Sequence, residues 1–194
     1  MKRLMLTALL LGLAGTAGAA TVSLVDAAQQ QNSAQALALI DQGADVNATA
    51  TDGTTALMWA AHSGDFALVQ ALLKAHAKVD VGNAYGANAM QQAAQFGDVR
   101  ILEALLAAGA NVESPNPDGE TALMLVARAG NVEAARLLLK HGANVNAHEN
   151  FRGQTALIWA AAESQPEMVK LLVGAHADVN ARSVLNTNRR QVTG

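Results

Sequence analysis

The chain has 194 residues, of which 51% are hydrophobic, 3% aromatic and none cysteine, with a formal net charge of −3. Without cysteine there is no disulfide, thiolate metal site, thiol nucleophile or lipid-anchored cysteine. Without a basic excess the counterion release that drives most nucleic-acid affinity has little to act on. The apolar fraction is mostly Ala and Leu, which are strong helix formers, whereas a sheet sandwich would draw on Val, Ile, Tyr and Phe. The composition predicts a thin-layered helical architecture.

Met1-Lys2-Arg3 is a short positive start, followed by an apolar run from Leu4 to Leu13 and by the small residues Ala17-Gly18-Ala19. Charge, apolar run and Ala-x-Ala site in that order define a secretory signal peptide. The run is too short for a bilayer-spanning helix, which needs roughly 20 apolar residues. The expectation is a signal over 1–19 cleaved after Ala19, a mature chain beginning at Ala20, and delivery to the periplasm or beyond by general secretion. Losing Lys2 and Arg3 with the leader changes the net charge from −3 to −5.

A helix from about Ser23, polar at its end through Gln29, Gln30, Gln31 and Asn32, leads into a second one over Leu37 to Gln42. The loop Gly43-Ala44-Asp45-Val46-Asn47-Ala48 follows, 33 residues ahead of the next loop of its kind. Residues 21–51 thus read as a cap-like first unit without its opening turn. Four fuller units succeed it, over 52–84, 85–117, 118–150 and 151–183. Gly53, Gly86, Gly119 and Gly153 open them at spacings of 33, 33 and 34. Two residues later comes Thr55, Asn88, Thr121 or Thr155, then Ala, then Leu57, Met90, Leu123 or Leu157. Gly64, Gly97, Gly130 and Ser164 end the first helices, and Leu72-Leu73, Leu105-Leu106, Leu138-Leu139 and Leu172-Val173 close the second.

Each unit reads as turn, helix, turn, helix, loop. The opening Gly supplies a tight turn, the Thr or Asn an N-cap, and Leu with Ala a buried stripe at helical spacing. Neither helix can bury its apolar face alone, so the units must stack as a solenoid. In that stack Leu106 and Leu139 are expected to be fully buried between repeats.

These residues resemble the ankyrin repeat across roughly 21–183, in motifs such as Gly53-x-Thr55-Ala56-Leu57 and tails such as Gly142-Ala143-Asn144-Val145-Asn146-Ala147. The resemblance implies an all-α ankyrin solenoid of about five stacked helix-turn-helix units with protruding turns, within a domain 20–183. Two departures are systematic. Ala56, Ala89, Ala122 and Ala156 stand where the family favours Pro, and Met58, Gln91, Met124 and Ile158 where it favours His. The hydrogen bonding built around that His is therefore expected to be missing. The tail 184–194 gives no polar closing repeat; either it folds back over the open end or the natural chain continues, and the second reading is preferred.

Nothing in the chain has the form of a catalytic site. No Gly-x-Ser-x-Gly, phosphate loop, His-Glu-x-x-His or dinucleotide fingerprint occurs. His76 and His176 lie 100 residues apart, and His141 and His148 have no carboxylate at ligand spacing, so no metal or cofactor is expected. A cationic side chain at a helix C-terminus accounts for His76, His141 and His176.

The resemblance further implies a protein partner, gripped by the turn tips and the inner face of the first helices. Carried onto this sequence, the tips are Thr51-Asp52, Ala84-Tyr85, Pro117-Asp118 and Phe151-Arg152. The inner column, two residues after the motif leucine, is Trp59, Gln92, Leu125 and Trp159. Trp and Tyr dominate binding hot spots, and this column is expected to be partly exposed. The function so read is an exported protein-binding module. A role as the repeat segment of a longer envelope protein is the alternative.

Overall fold

A computed structural model describes residues 22–184. The expected leader over 1–19, its expected cleavage after Ala19 and nearly all of the tail lie outside the described residues. Ten helices succeed one another: α1 (Leu24–Gln29), α2 (Ser33–Asp41), α3 (Ala56–Ser63), α4 (Phe66–Lys74), α5 (Ala89–Phe96), α6 (Val99–Ala107), α7 (Ala122–Ala129), α8 (Val132–Lys140), α9 (Ala156–Ala162) and α10 (Pro166–Gly174). Odd-numbered helices stack on one another as an inner row, and even-numbered helices as an outer row. Among the described residues β-pairing is limited to the isolated bridges Thr49–Thr55 and His148–Thr155, where loops cross beside the turns.

The turns are set by single residues. Thr55, Asn88, Thr121 and Thr155 cap the inner helices by accepting from the backbone N–H of Met58, Gln91, Met124 and Ile158, which satisfies an otherwise orphaned donor. Gly64, Gly97 and Gly130 end the first three of those helices in the left-handed conformation. Asn32, Asp65, Asp98 and Asn131 then cap the outer helices through their side chains, while α10 opens on Pro166. At α1 a capping box joins Ser23 and Asp26.

Small side chains let the inner row close up. Ala60, Ala93, Ala127 and Ala160 are fully buried, beside Leu57, Met90 and Leu123. In the outer row Leu72, Leu105, Leu138 and Leu172 hold one repeating position at zero exposure. This corrects the expected register at Leu139, which is only half-buried, while Leu106 is buried with 9% of its surface left. Leu139 lines an open groove of about 660 Å³ between α8 and α10, so its side chain covers the outer flank and not the junction.

A second correction concerns the motif's missing His. Its hydrogen bonding is partly rebuilt at Gln91, whose buried amide donates to the carbonyl of Ser114 in its own unit (3.2 Å) and to that of Glu120 in the next (3.4 Å). Met58 and Met124 instead fill the same place with apolar volume.

Loops are tied to loops by one recurring bond. The side chain of Asn47 accepts from the N–H of Lys78, Asp80 from Asn111, Glu113 from Asn144, and Asn146 from Asp178, at 2.7–2.9 Å. At the tips, Ala84 donates to the Asp52 carbonyl, Asn150 to Asp118, and Val184 to Arg152. The remaining junction brings Pro117, which has no N–H to give. Its ring lies where a Cβ on Gly86 would be, 2.3 Å away, and Gly86 has φ +71°. No other residue fits there.

Among the described residues, the stack is not closed at α9–α10. Leu57, Met90 and Leu123 are at most 1% exposed, but Leu157 is half-buried; Ala61, Ala94 and Ala127 are sealed, but Ala161 is exposed. Each preceding unit is covered there by its successor.

Candidate functional site

The tips and the inner helices form one side of the molecule, and the sequence-derived residues divide there into two groups. Thr51, Tyr85, Asp118, Phe151 and Arg152 are exposed, with Tyr85 at 74% and Phe151 at 63%. Asp52, Trp59 and Gln92 are half-buried. Leu125 and Trp159 are buried at 8% exposure each, which corrects the expectation that the whole column would be partly exposed. Trp159 is covered from its own chain. The Arg128 guanidinium lies 4.7 Å from its ring centroid, and its Nε1–H donates to Gln154 Oε1 at 3.1 Å.

Three shallow hollows follow one another along this side. The first, about 200 Å³, is lined by Asp52, Thr54, Met58, Trp59, His62, Asn83 and Gln92. The next, about 250 Å³, lies among Tyr85, Gln92, Gln95, Glu120, Leu125 and Arg128. The last, about 350 Å³, lies among Asp118, Glu120, Glu149, Phe151, Gln154 and Trp159. Stacked helices place such hollows about 10 Å apart.

His62 and Phe96 were missed by the sequence reading, yet both belong to this surface. His62 stands edge-on to Trp59 (5.8 Å between centroids) and to Phe96 (4.8 Å), and its Nδ1 is 2.9 Å from Gln92 Oε1. An amide oxygen only accepts, so with Gln92 in this orientation the bond requires the proton on Nδ1. The signal was available: His62, Gln95 and Arg128 each follow the column by three residues, on the same helix face. Phe96 is 56% exposed.

Charge is held in place at two tips. Asp52 accepts from the Thr54 N–H and from its hydroxyl, both at 2.9 Å, and these bonds hold its carboxyl below the usual range against a small opposing effect of burial. Glu149 explains the 34-residue spacing. The longer fourth tip needs a longer acceptor, and Glu149 takes the N–H groups of Phe151 (2.5 Å), Arg152 (2.7 Å) and Gln154 (2.9 Å). Burial pushes its carboxyl up, but those amides and the Arg152 charge outweigh it, and the net shift is downward. Asn83 does the equivalent work at Tyr85 and Ala87 with a shorter side chain.

No group of three His, Asp or Glu side chains converges among the described residues, and none of their helices is long and apolar enough to cross a membrane. A double row of stacked helices with tips and hollows along one side defines a repeat solenoid with an extended recognition surface. The family model of ankyrin repeats (3 copies) matches residues 24–116 and again 93–183. The chain belongs to the ankyrin-repeat family, whose members are in general non-enzymatic protein-interaction modules. No curated protein matches the chain.

Proposed function

We propose that this chain is an exported binding module that holds a protein partner along the tips and inner helices. One observation carries the reading: Trp59, Tyr85, Phe96 and Phe151 all leave ring surface uncovered on the side that bears the hollows. The chain is only 3% aromatic, and five of its six aromatic side chains are on that one side, with Trp159 alone among the five buried. Exposed rings that rest on a rigid scaffold supply contact area at low entropic cost. Asp52 and Arg152 beside them set polarity.

The charge, apolar run and Ala-x-Ala order of residues 1–19 supports the export half of this reading. Leu9→Arg together with Leu11→Arg is expected to leave an unprocessed precursor in the cytosol. A photo-crosslinking residue at position 85 or 151 is expected to trap a partner in the periplasm, and the same residue at position 136, on the outer helices, is not. The crosslink from position 85 should vanish in Trp59→Ala while the melting temperature holds. Equal crosslinking from position 136, or none from 85 and 151, would overturn the concave-side reading.

The second reading, a repeat segment of a longer envelope protein, is favoured by the uncovered Leu157, Ile158 and Ala161 of α9. A stacked further unit would seal them as it seals their counterparts.

A further inference from the structure

Trp59 and Trp159 occupy the same place in two units, yet their surroundings differ. Over Trp159 lies Arg128, which projects from the preceding inner helix α7, three residues past the column position Leu125. The indole is sealed by it to 8% exposure. Counting back through the repeat, the residue in the place of Arg128 ahead of Trp59 is Gln29, at the end of α1. Gln29 is exposed and carries no charge, and Trp59 keeps open ring surface beside the 200 Å³ hollow. The chain therefore fills one indole seat with its own cation and leaves the other unfilled.

We propose that the hollow at Trp59 seats one cationic side chain of the partner, an arginine by preference, stacked on the indole and facing the Asp52 carboxylate. This rests on the concave-side reading of function and adds the chemistry of the contact.

The lining selects for charge and sign. Asp52 is the one ionisable acid among the residues that form the hollow, and neither Lys nor Arg is among them. Each of its oxygens takes a single bond from Thr54, so acceptor capacity is left over on a group with about four lone-pair sites. An apolar occupant would bury that carboxylate without a partner, which is costly, and an anion would be repelled. A guanidinium suits both walls, because its plane stacks on an aromatic face while its edge donates to a carboxylate.

The walls are also fixed before any ligand arrives. His62 is wedged between Trp59 and Phe96 and anchored to Gln92, so the indole has little freedom to swing across the hollow. Asp52 stays ionised well into mild acid, since its Thr54 bonds lower its carboxyl.

The test uses the leaderless chain with 15N-labelled tryptophan, whose two indole N–H signals are assigned by Trp59→Phe. Butylguanidinium is the probe and butylurea its uncharged isostere, at matched ionic strength. The expected result is that butylguanidinium shifts the Trp59 signal at about one tenth of the butylurea concentration, leaving Trp159 still. Asp52→Asn should weaken the response about tenfold with unchanged circular dichroism. Gln29→Arg should fill the seat from within: Trp59 then takes on a Trp159-like shift and no longer responds to the probe.

Equal response to butylurea, an Asp52→Asn variant that responds like the parent, or two indoles that shift alike would each overturn the proposal. If that happens while the crosslinks from positions 85 and 151 persist, the surface binds a partner by other chemistry. If the crosslinks fail while the guanidinium response holds, the seat is real and the concave-side reading is wrong.

Discussion

Leu138 and Leu139 are neighbours in the chain and differ in exposure because successive helical residues point about 100° apart. A run of adjacent leucines shows that one of them faces the next repeat without showing which. Only the packing of α8 between α6 and α10 fixes the phase, and it favours Leu72, Leu105, Leu138 and Leu172. Leu105→Ala or Leu138→Ala should therefore cost roughly 2 to 5 kcal/mol, and Leu139→Ala clearly less, as read from urea melts of each variant beside the parent. The histidines make a second case. His76 and His176 have φ of 63° and 67°, where the equivalent Gly43, Gly109 and Gly142 have 82° to 88°. An L side chain in that region is strained, and a Cβ at those glycines meets nothing within 4 Å, so the backbone alone decides. His76→Gly should raise stability by up to about 1 kcal/mol. A loss of stability would mean that the imidazole makes a contact worth more than the strain.

At the level of the element, repeat length and turn chemistry were both legible, and the tip architecture was not. The extra residue before Gly153 was visible as a spacing of 34, but nothing in the sequence said that Glu149 would gather three amides around it. Because folding lowers the Glu149 carboxyl, its stabilising contribution is present above the ordinary glutamate value of about 4.3. It is lost as pH falls through the lowered folded value. Glu149→Gln should thus be less stable than the parent at neutral pH, and the gap should close in acid. Melts of the two proteins from pH 7 down to pH 3 check this; a gap that stays constant would show that the carboxylate form makes no difference. The column of inner residues was likewise half-legible. Periodicity aligned Trp59 with Trp159, but the burial of Trp159 depends on Arg128 crossing from another repeat, a contact that no single repeat contains.

For the molecule as a whole, each unit touches only its neighbours, so local stability should follow how many neighbours a unit has. Among the described residues, units built on α3–α8 are covered on both sides, whereas α9 and α10 are covered on one, with Val173 and Val179 exposed at 43% and 65%. Hydrogen exchange should find amides of α5 and α6 the most protected and those of α9 and α10 opening several-fold sooner. Equal protection along the chain would indicate that the array opens only as a single cooperative body. The fold was readable because repetition multiplies a weak local signal; an open end was expected from the lack of a polar closing repeat in 184–194, but the exposed face of α9 came only with the packed neighbours.

The bonds between loops have a direction. In each of the four recurring ties the acceptor is a chosen side chain of the earlier unit (Asn47, Asp80, Glu113 or Asn146) and the donor is a plain backbone N–H of the later one. A unit therefore asks nothing of its successor beyond having a main chain at that point, since any residue but proline can donate. Drift at positions 78, 111, 144 and 178 leaves the tie intact, while drift at 47, 80, 113 or 146 removes it. Grammar of this kind permits a whole unit to be duplicated or excised in evolution with every tie still made, so such a solenoid can lengthen or shorten its recognition surface one hollow at a time.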